Sequence, residues 1–233
     1  MITKISDITK RFITDIKKKA KNGSYTVKAE GVDITVFPYV FPPSSPFSES
    51  SHNVYDEFRN LKGKKVLDIG TGTGIQAIKS VLAGAKCVDA VDIYKPAVEC
   101  AKYNARANRV SNKIRVFESD LFSNIPRNKY DLIIANLPIV DCQEEDIKLH
   151  SLIDPGFQYH KRLFEEASEY LTKDGRIVLC HADLQGEEDF DKLERLAEEN
   201  GFSYKISNSI DSLGHEWRMY SFRRKNDESY RKF

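Results

Sequence analysis

A short segment, VLDIGTGTGI at residues 66–75, constrains the fold of this chain more than any other stretch. It begins with apolar, β-favouring residues, which are typical of a buried parallel strand. Three glycines at alternate positions then allow a sharp turn and a close approach of the backbone to a bound molecule. A helix that starts at or near Gly74 would point its N-terminus out of the C-terminal edge of the sheet, where open α/β folds bind ligands. The segment therefore predicts an α/β domain with a ligand site at this turn.

The spacing of the glycines narrows the class of ligand. A dinucleotide-binding turn has a glycine or alanine at the position of Ile75, whereas here the third glycine comes one residue earlier. The pattern D-x-G-x-G-x-G resembles motif I of the class I S-adenosylmethionine-dependent methyltransferases. This resemblance implies S-adenosyl-L-methionine as the cofactor. The residues that it assigns to cofactor binding here are Asp68, Gly70, Thr71, Gly72 and Gly74.

Strands and helices alternate regularly after residue 64. The hydrophobic periodicity predicts strand 64–70, helix 74–84, strand 86–93, helix 95–109, strands 113–120 and 130–137, helix 156–171, strand 175–182, helix 187–200, and strands 203–210 and 216–224. This alternation indicates an α/β fold with a parallel sheet and helices on both faces. No helix separates the last two strands, so we expect the final strand to run antiparallel. The family resemblance implies the same ending, in a Rossmann-like, doubly wound sheet of seven strands.

The region before this domain predicts a different organisation. Residues 3–22 have the periodicity of an amphipathic helix, and residues 25–36 alternate as a β-hairpin. Four prolines between residues 38 and 46 then exclude a helix or a central strand. The segment resembles the proline-rich turn before motif I in HemK-like methyltransferases, in which an acid and a hydroxyl, here within Ser48-Glu49-Ser50, cover the cofactor. A structural linker is the alternative. We divide the chain into residues 1–45, with helix, hairpin and proline-rich loop, and a methyltransferase domain at 46–233.

Acidic residues end the two strands that follow the glycine turn. Asp92 comes 22 residues after Gly70, which is where nucleotide-binding α/β folds place the acid that accepts the ribose hydroxyls. Ile93 would then lie against the adenine ring. The resemblance implies that Asp120 accepts the adenine amino group and that the backbone N–H of Leu121 donates to the ring. A turn-capping aspartate is the alternative for Asp120.

The segment Asn136-Leu137-Pro138-Ile139 follows the apolar strand at the position of motif IV, which reads Asn-Pro-Pro-aromatic in amino-directed methyltransferases. The resemblance implies that Asn136, Leu137 and Pro138 are catalytic. An amide or base amine is a poor nucleophile, and acceptor oxygens from Asn136 and the next carbonyl can orient it by positioning and electrostatics. Ile139 departs from the motif because it offers no ring to stack on a planar group. A turn-capping role is the alternative for Asn136.

Composition and charge limit the other function classes. The net charge is +1, but residues 1–23 carry +5 and residues 218–233 carry +4, which leaves −8 for the middle. Basic ends can contact RNA or another acidic partner, although solubilising termini are the more common interpretation. Neither a secretory signal nor a membrane span is evident, and the scattered cysteines are typical of buried free thiols in a reducing cytoplasm. The histidines and cysteines lack the spacing of a metal site.

The sequence thus predicts a cytoplasmic, S-adenosylmethionine-dependent N-methyltransferase of the HemK-like, small-domain type. Its acceptor is a protein glutamine amide or a nucleic-acid base amine, so a protein or RNA substrate is expected and a membrane partner is not. An O- or C-directed enzyme acting on a small molecule stays open because of Ile139. An NAD-dependent oxidoreductase and a non-catalytic cofactor-binding module are further alternatives. The oligomeric state does not follow from the sequence.

Overall fold

The computed structural model describes residues 7–43, 54–142 and 146–225. An N-terminal helix and a two-stranded hairpin precede a sheet of alternating strands and helices, as predicted. The helices are α1 (Asp7–Lys21), α2 (Ile75–Leu82), α3 (Lys95–Ala107), α4 (Gln158–Ala167) and α5 (Glu188–Glu199). The strands are β1 (Tyr25–Ala29), β2 (Val32–Val36), β3 (Lys65–Ile69), β4 (Cys87–Asp92), β5 (Ile114–Glu118), β6 (Tyr130–Ala135), β7 (Leu171–Ala182), β8 (Phe202–Ser212) and β9 (His215–Arg224).

The main sheet has seven strands in the order β5-β4-β3-β6-β7-β9-β8. Strands β3 to β7 pair in parallel, whereas β9 runs antiparallel to both β7 and β8. The predicted Rossmann-like, doubly wound α/β fold with one reversed strand is therefore confirmed. The order reverses direction between β3 and β6, which places a crevice beyond their C-terminal ends. Ligands of open α/β sheets bind at such a switch point.

Two apolar cores cover the two faces of the sheet. One is built with α2, α3, the N-terminal helix and the hairpin, and it contains the buried side chains of Phe12, Ile34 and Ile78. The other is built with α4 and α5. Helix α1 buries Phe12 and Ile16 on one side and keeps most of its lysines exposed, which fits its predicted amphipathic pattern. Residues 44–53, including Ser48-Glu49-Ser50 of the predicted cofactor cover, lie outside the described residues, and the domain boundary at residue 45 stays a prediction.

The largest difference from the predicted element boundaries lies between α4 and β7. Helix α4 ends at Ala167 rather than 171, and β7 begins at Leu171 rather than 175. The early start lets Leu171 pair with Tyr130 before the register shifts. Gly175 permits this irregularity, because a Cβ there would lie 2.7 Å from the carbonyl oxygen of Tyr130. A glycine inside a strand commonly marks such a close backbone approach.

The cysteines are free, as the sequence predicts. Three of them are buried, whereas Cys87 is half-buried at the start of β4. The expectation of uniformly buried thiols was therefore wrong for Cys87. Among the described residues, none of the helices is both long and apolar enough to cross a membrane.

Two histidines are enclosed in the core beside the crevice. His160 and His181 are fully buried, with ring centroids 5.2 Å apart. His160 Nδ1 lies 2.7 Å from an oxygen of Asp154, while neither ring nitrogen of His181 has a hydrogen-bond partner among the described residues. Burial, with smaller contributions from His160 and Lys192, holds the pKa of His181 well below its usual 6.5. His181 is therefore neutral in the folded protein.

The neutral His181 predicts a loss of stability in acid. Below about pH 6.5 the unfolded chain binds a proton at this residue and the folded chain does not, so the free energy of unfolding falls by up to about 1.4 kcal/mol per pH unit. Urea unfolding of the wild type and His181→Leu at several pH values between 5 and 8 measures this difference. In His181→Leu we expect the free energy of unfolding to fall less steeply as the pH drops below about 6.5. His181→Gln, which is polar but does not titrate, should show the same shallower dependence. Parallel slopes for all three chains would contradict the assignment.

Candidate active site

The glycine turn after β3 is held in shape by a buried acid. Asp68 is fully buried, and its Oδ2 accepts hydrogen bonds from the hydroxyl of Thr71 at 2.6 Å and from the backbone N–H of Ala77 at 3.1 Å. Burial raises the pKa of Asp68 to about 7, although these hydrogen bonds oppose the shift. The carboxylate thus ties the end of β3 to the first turn of α2. This local support lets the backbone of the turn face the crevice.

The glycines of the turn have different functions. All three have positive φ, between 54° and 82°, a region that glycine enters at little steric cost. Gly70 and Gly72 line the crevice, whereas a Cβ on Gly74 would come within 3.0 Å of the Cα of Ala101 in α3. Gly74 therefore starts α2 and lets two helices pack closely. Asp68 and Gly74 lie behind the crevice wall, so their predicted contact with the cofactor stays a prediction.

Asp92 at the end of β4 is well placed to bind a ribose. One oxygen accepts the backbone N–H of Gly72 and the other accepts that of Tyr94, both at 2.9 Å. These bonds aim the carboxylate into the crevice, and each oxygen keeps a lone pair for a further donor. Desolvation raises the pKa of Asp92 to about 6 against the lowering effect of these hydrogen bonds. It is ionised at neutral pH and can accept hydroxyl groups.

The predicted adenine pocket lies between the ends of β4 and β5. Ile93 lines the crevice and is 38% exposed, which offers an apolar face for a flat ring. Leu121 has a positive φ of 48°, and its carbonyl oxygen accepts the hydroxyl of Ser119. Asp120 forms an ion pair with Arg162 at 2.7 Å. The sequence analysis missed Arg162, which comes 42 residues after Asp120 and approaches it from α4.

The predicted acceptor residues lie beside the glycine turn. A Cβ on Gly70 would lie 3.7 Å from the side chain of Leu137 and 3.9 Å from the carbonyl oxygen of Asn136. Asn136, Leu137 and Pro138 all line the crevice, and the side chain of Asn136 forms no hydrogen bond with the described residues. A turn-capping hydrogen bond, the alternative for Asn136, is thus not formed within that part of the chain. Its carboxamide is available to a ligand.

The loop after Asn136 closes the far side of the crevice and is anchored to the second half of the sheet. The backbone N–H and C=O of Asp141 both pair with the side-chain amide of Gln185, at 2.6 and 2.9 Å. The carboxylate of Asp141 also accepts the N–H of Gly156 at 2.7 Å. The sequence alone suggests a solvated acidic loop here, and for Asp141 this was wrong, because it is half-buried and anchors the loop. Residues 143–145 of the same acidic run lie outside the described residues.

The structure brings most of the predicted site residues together around one crevice. Those that line it are Gly70, Thr71, Gly72, Asp92, Ile93, Asp120, Leu121, Asn136, Leu137 and Pro138. The chemistry of this wall fits S-adenosylmethionine, because an aimed carboxylate, an exposed apolar face and a turn without Cβ atoms adjoin one another. The described part of the chain contains no group of three histidine, cysteine or acidic side chains that could hold a metal ion.

Comparisons with known proteins agree with this geometry. Residues 47–205 match the model of the methyltransferase small domain family. The chain is 35% identical to a "Putative protein N5-glutamine methyltransferase" of Methanocaldococcus jannaschii, over 78% of this chain and 90% of that protein. It is 31% identical to a ribosomal protein uL3 glutamine methyltransferase of Francisella tularensis, over 64% of this chain but only 52% of that protein.

Solved structures share the fold. A methyltransferase from Pyrococcus furiosus superposes with a TM-score of 0.64 at 19% identity, and the match covers 93% of this chain and 98% of that one. A ribosomal protein L11 methylase from Lactobacillus delbrueckii subsp. bulgaricus gives a TM-score of 0.61 at 24% identity, over 80% and 82% of the two chains. At these identities the likeness supports the fold alone.

The geometry of Asp92 generates a binding prediction. Asp92→Ala should weaken the binding of S-adenosylhomocysteine by about 1.5–3 kcal/mol, the range for hydrogen bonds to a charged group. Calorimetry measures the affinity. Glu118→Ala is the matched control, since it removes an exposed acid from the end of the neighbouring strand without touching the crevice. Equal affinities for the wild type and Asp92→Ala would show that another group binds the ribose.

Proposed function

The chain belongs to the methyltransferase small domain family, and we propose that it methylates the side-chain amide nitrogen of a protein glutamine. Family membership confirms the predicted methyltransferase activity and S-adenosylmethionine as the methyl donor. It also argues against the two alternative functions, an NAD-dependent oxidoreductase and a non-catalytic cofactor-binding module. Glutamine as the acceptor, the roles of individual site residues and a cytoplasmic location are proposals.

The observation that carries the proposal is the carboxamide of Asn136. It lies on the crevice wall next to Gly70, at the point where β3 and β6 adjoin and the crevice opens. When bound, the cofactor would supply a methyl group carried on its sulfonium sulfur. The acceptor nitrogen would bond to this methyl group as the sulfur–carbon bond breaks, which leaves S-adenosylhomocysteine, and the nitrogen would lose one proton to water. The Asn136 side-chain oxygen can accept an N–H of the target and hold its nitrogen toward the donor site. Such a fixed acceptor acts by orientation and electrostatics rather than by taking part in bond changes.

The names of the relatives support an amide as the target. Two curated relatives with 31% identity or more are described as glutamine methyltransferases. Leu137 replaces the first proline of the acceptor motif but retains a backbone carbonyl that can accept a second N–H. The surrounding wall is apolar, with Val140, Leu152 and Trp217. A neutral side chain such as glutamine loses less hydration free energy in such a pocket than a charged one.

The proposed role of Asn136 separates catalysis from cofactor binding. Asn136→Ala should leave the affinity for S-adenosylhomocysteine nearly intact while turnover on a glutamine-containing protein substrate falls by about 10²–10³. Asn136→Asp retains an acceptor oxygen but adds a negative charge near a sulfonium, so we expect it to bind the cofactor at least as tightly and still to turn over slowly. Methyl incorporation and calorimetry measure the two quantities. Full activity of Asn136→Ala would refute amide-directed transfer and favour an O- or C-directed reaction.

A further inference from the structure

A second carboxamide lies on the wall of the same crevice. Gln76 is in the first turn of α2 and is only 3% exposed. It lines the crevice, yet neither its Oε1 nor its Nε2 has a hydrogen-bond partner among the described residues. A buried amide without partners costs about 1–3 kcal/mol, so such groups in folded proteins call for an explanation. A ligand group that pairs with both atoms would provide one.

The chemistry of an amide restricts what that group is. A carboxylate offers only acceptors and an ammonium only donors, so either one leaves one end of Gln76 unpaired. A primary carboxamide offers a carbonyl oxygen and an adjacent N–H, and it satisfies both ends at once. The lining of the crevice also includes the buried apolar side chains of Phe12, Val40 and Trp217. Hydrogen bonds are stronger in such surroundings, and an unpaired polar group is correspondingly more costly.

The position of Gln76 relative to Asn136 agrees with one shared target. The two residues follow the neighbouring strands β3 and β6, which pair in parallel up to Ile69 and Ala135. The residues predicted to bind ribose and adenine lie on the other side of β3, at the ends of β4 and β5. We propose that Gln76 is a specificity-determining residue that pairs, amide to amide, with the carboxamide of the methyl acceptor. Its Nε2 donates to the carbonyl oxygen of the target. Its Oε1 accepts one of the two N–H groups of the target, which it shares with the carbonyl of Leu137, while Asn136 accepts the other N–H.

This inference rests on the proposed function, and it makes the site selective for a carboxamide over a carboxylate of the same shape. The test measures binding of N-acetyl-glutamine N-methylamide to the S-adenosylhomocysteine-bound protein by NMR titration, with the capped glutamate as the charged analogue. We expect the wild type to bind the glutamine compound and to discriminate against the glutamate. Gln76→Leu should weaken binding of the glutamine compound by about 30-fold, the equivalent of two ordinary hydrogen bonds.

Two further readouts exclude a structural role. Because Gln76→Leu removes a buried, unpaired amide, its melting temperature should stay the same or rise. Ser80→Ala is the matched control. Ser80 is fully buried one turn further along the same helix and does not line the crevice, and its hydroxyl donates to the backbone carbonyl of Gln76 at 2.8 Å, so the variant perturbs the same turn but keeps the carboxamide. It should leave binding of the glutamine compound unchanged. Gln76→Met, which retains the length of the side chain but offers no N–H donor and no oxygen acceptor, should bind the glutamine compound as weakly as Gln76→Leu.

Several outcomes would overturn the inference. Unchanged binding of the glutamine compound by Gln76→Leu would do so, as would a wild type that does not bind the compound. Gln76→Leu is also tested with S-adenosylhomocysteine and with 5′-methylthioadenosine, which lacks the amino-acid end. If the variant binds the first more weakly and the second unchanged, Gln76 contacts the methyl donor instead of the acceptor. The proposed function fails separately, if Asn136→Ala retains full turnover, and the binding measurements on the Gln76 variants do not depend on that result.

Discussion

The crevice depends on two carboxylates that fix the backbone of one turn. Asp68 bonds to Thr71 and to the N–H of Ala77, and Asp92, on the neighbouring strand, accepts the N–H of Gly72. Placing acids in a desolvated position is unfavourable, as their raised pKa values show, and the backbone donors offset part of that cost. The turn therefore has one shape before any ligand arrives. Binding then requires little reordering of the backbone, and this preserves affinity.

The opposite wall is fixed from the other half of the sheet. Gln185, just after β7, pairs with both backbone groups of Asp141, and Asp154 accepts two backbone N–H groups of α4 and the ring of His160. These contacts hold the two ends of the loop that follows Asn136. The cofactor side of the crevice is thus organised by β3 and β4 and the acceptor side by β6 and β7, while α4 contacts both sides through His160 and Arg162. Such a division lets the acceptor loop vary in sequence without disturbing the cofactor turn.

The features that could be predicted from the sequence are those that depend on residues close together in the chain. The apolar period gave the strand and helix order, and the glycine spacing located the turn, because both depend on neighbours in the chain. The ion pair of Arg162 with Asp120 and the clamp of Gln185 on Asp141 join residues more than 40 positions apart. Neither has a local signature, so neither could be predicted from one sequence. The burial of Gln76 could have been predicted, because it is a polar residue between Ile75 and Ala77 in the apolar first turn of α2.

Ile139, which stands where the motif has an aromatic residue, has two environments. It is half-buried against the apolar core that contains the N-terminal hairpin, and it also lines the crevice. Aromatic rings reach the crevice from other elements, including Tyr39 in the proline-rich segment, Tyr159 on α4 and Trp217 on β9. A planar base needs a stacking ring at a fixed offset from the acceptor oxygen, whereas a flexible glutamine side chain needs an apolar channel and polar groups at its end. The apolar side chain of Ile139 can contact the aliphatic part of a glutamine, which agrees with the proposed amide acceptor and leaves any stacking to the rings of the other elements.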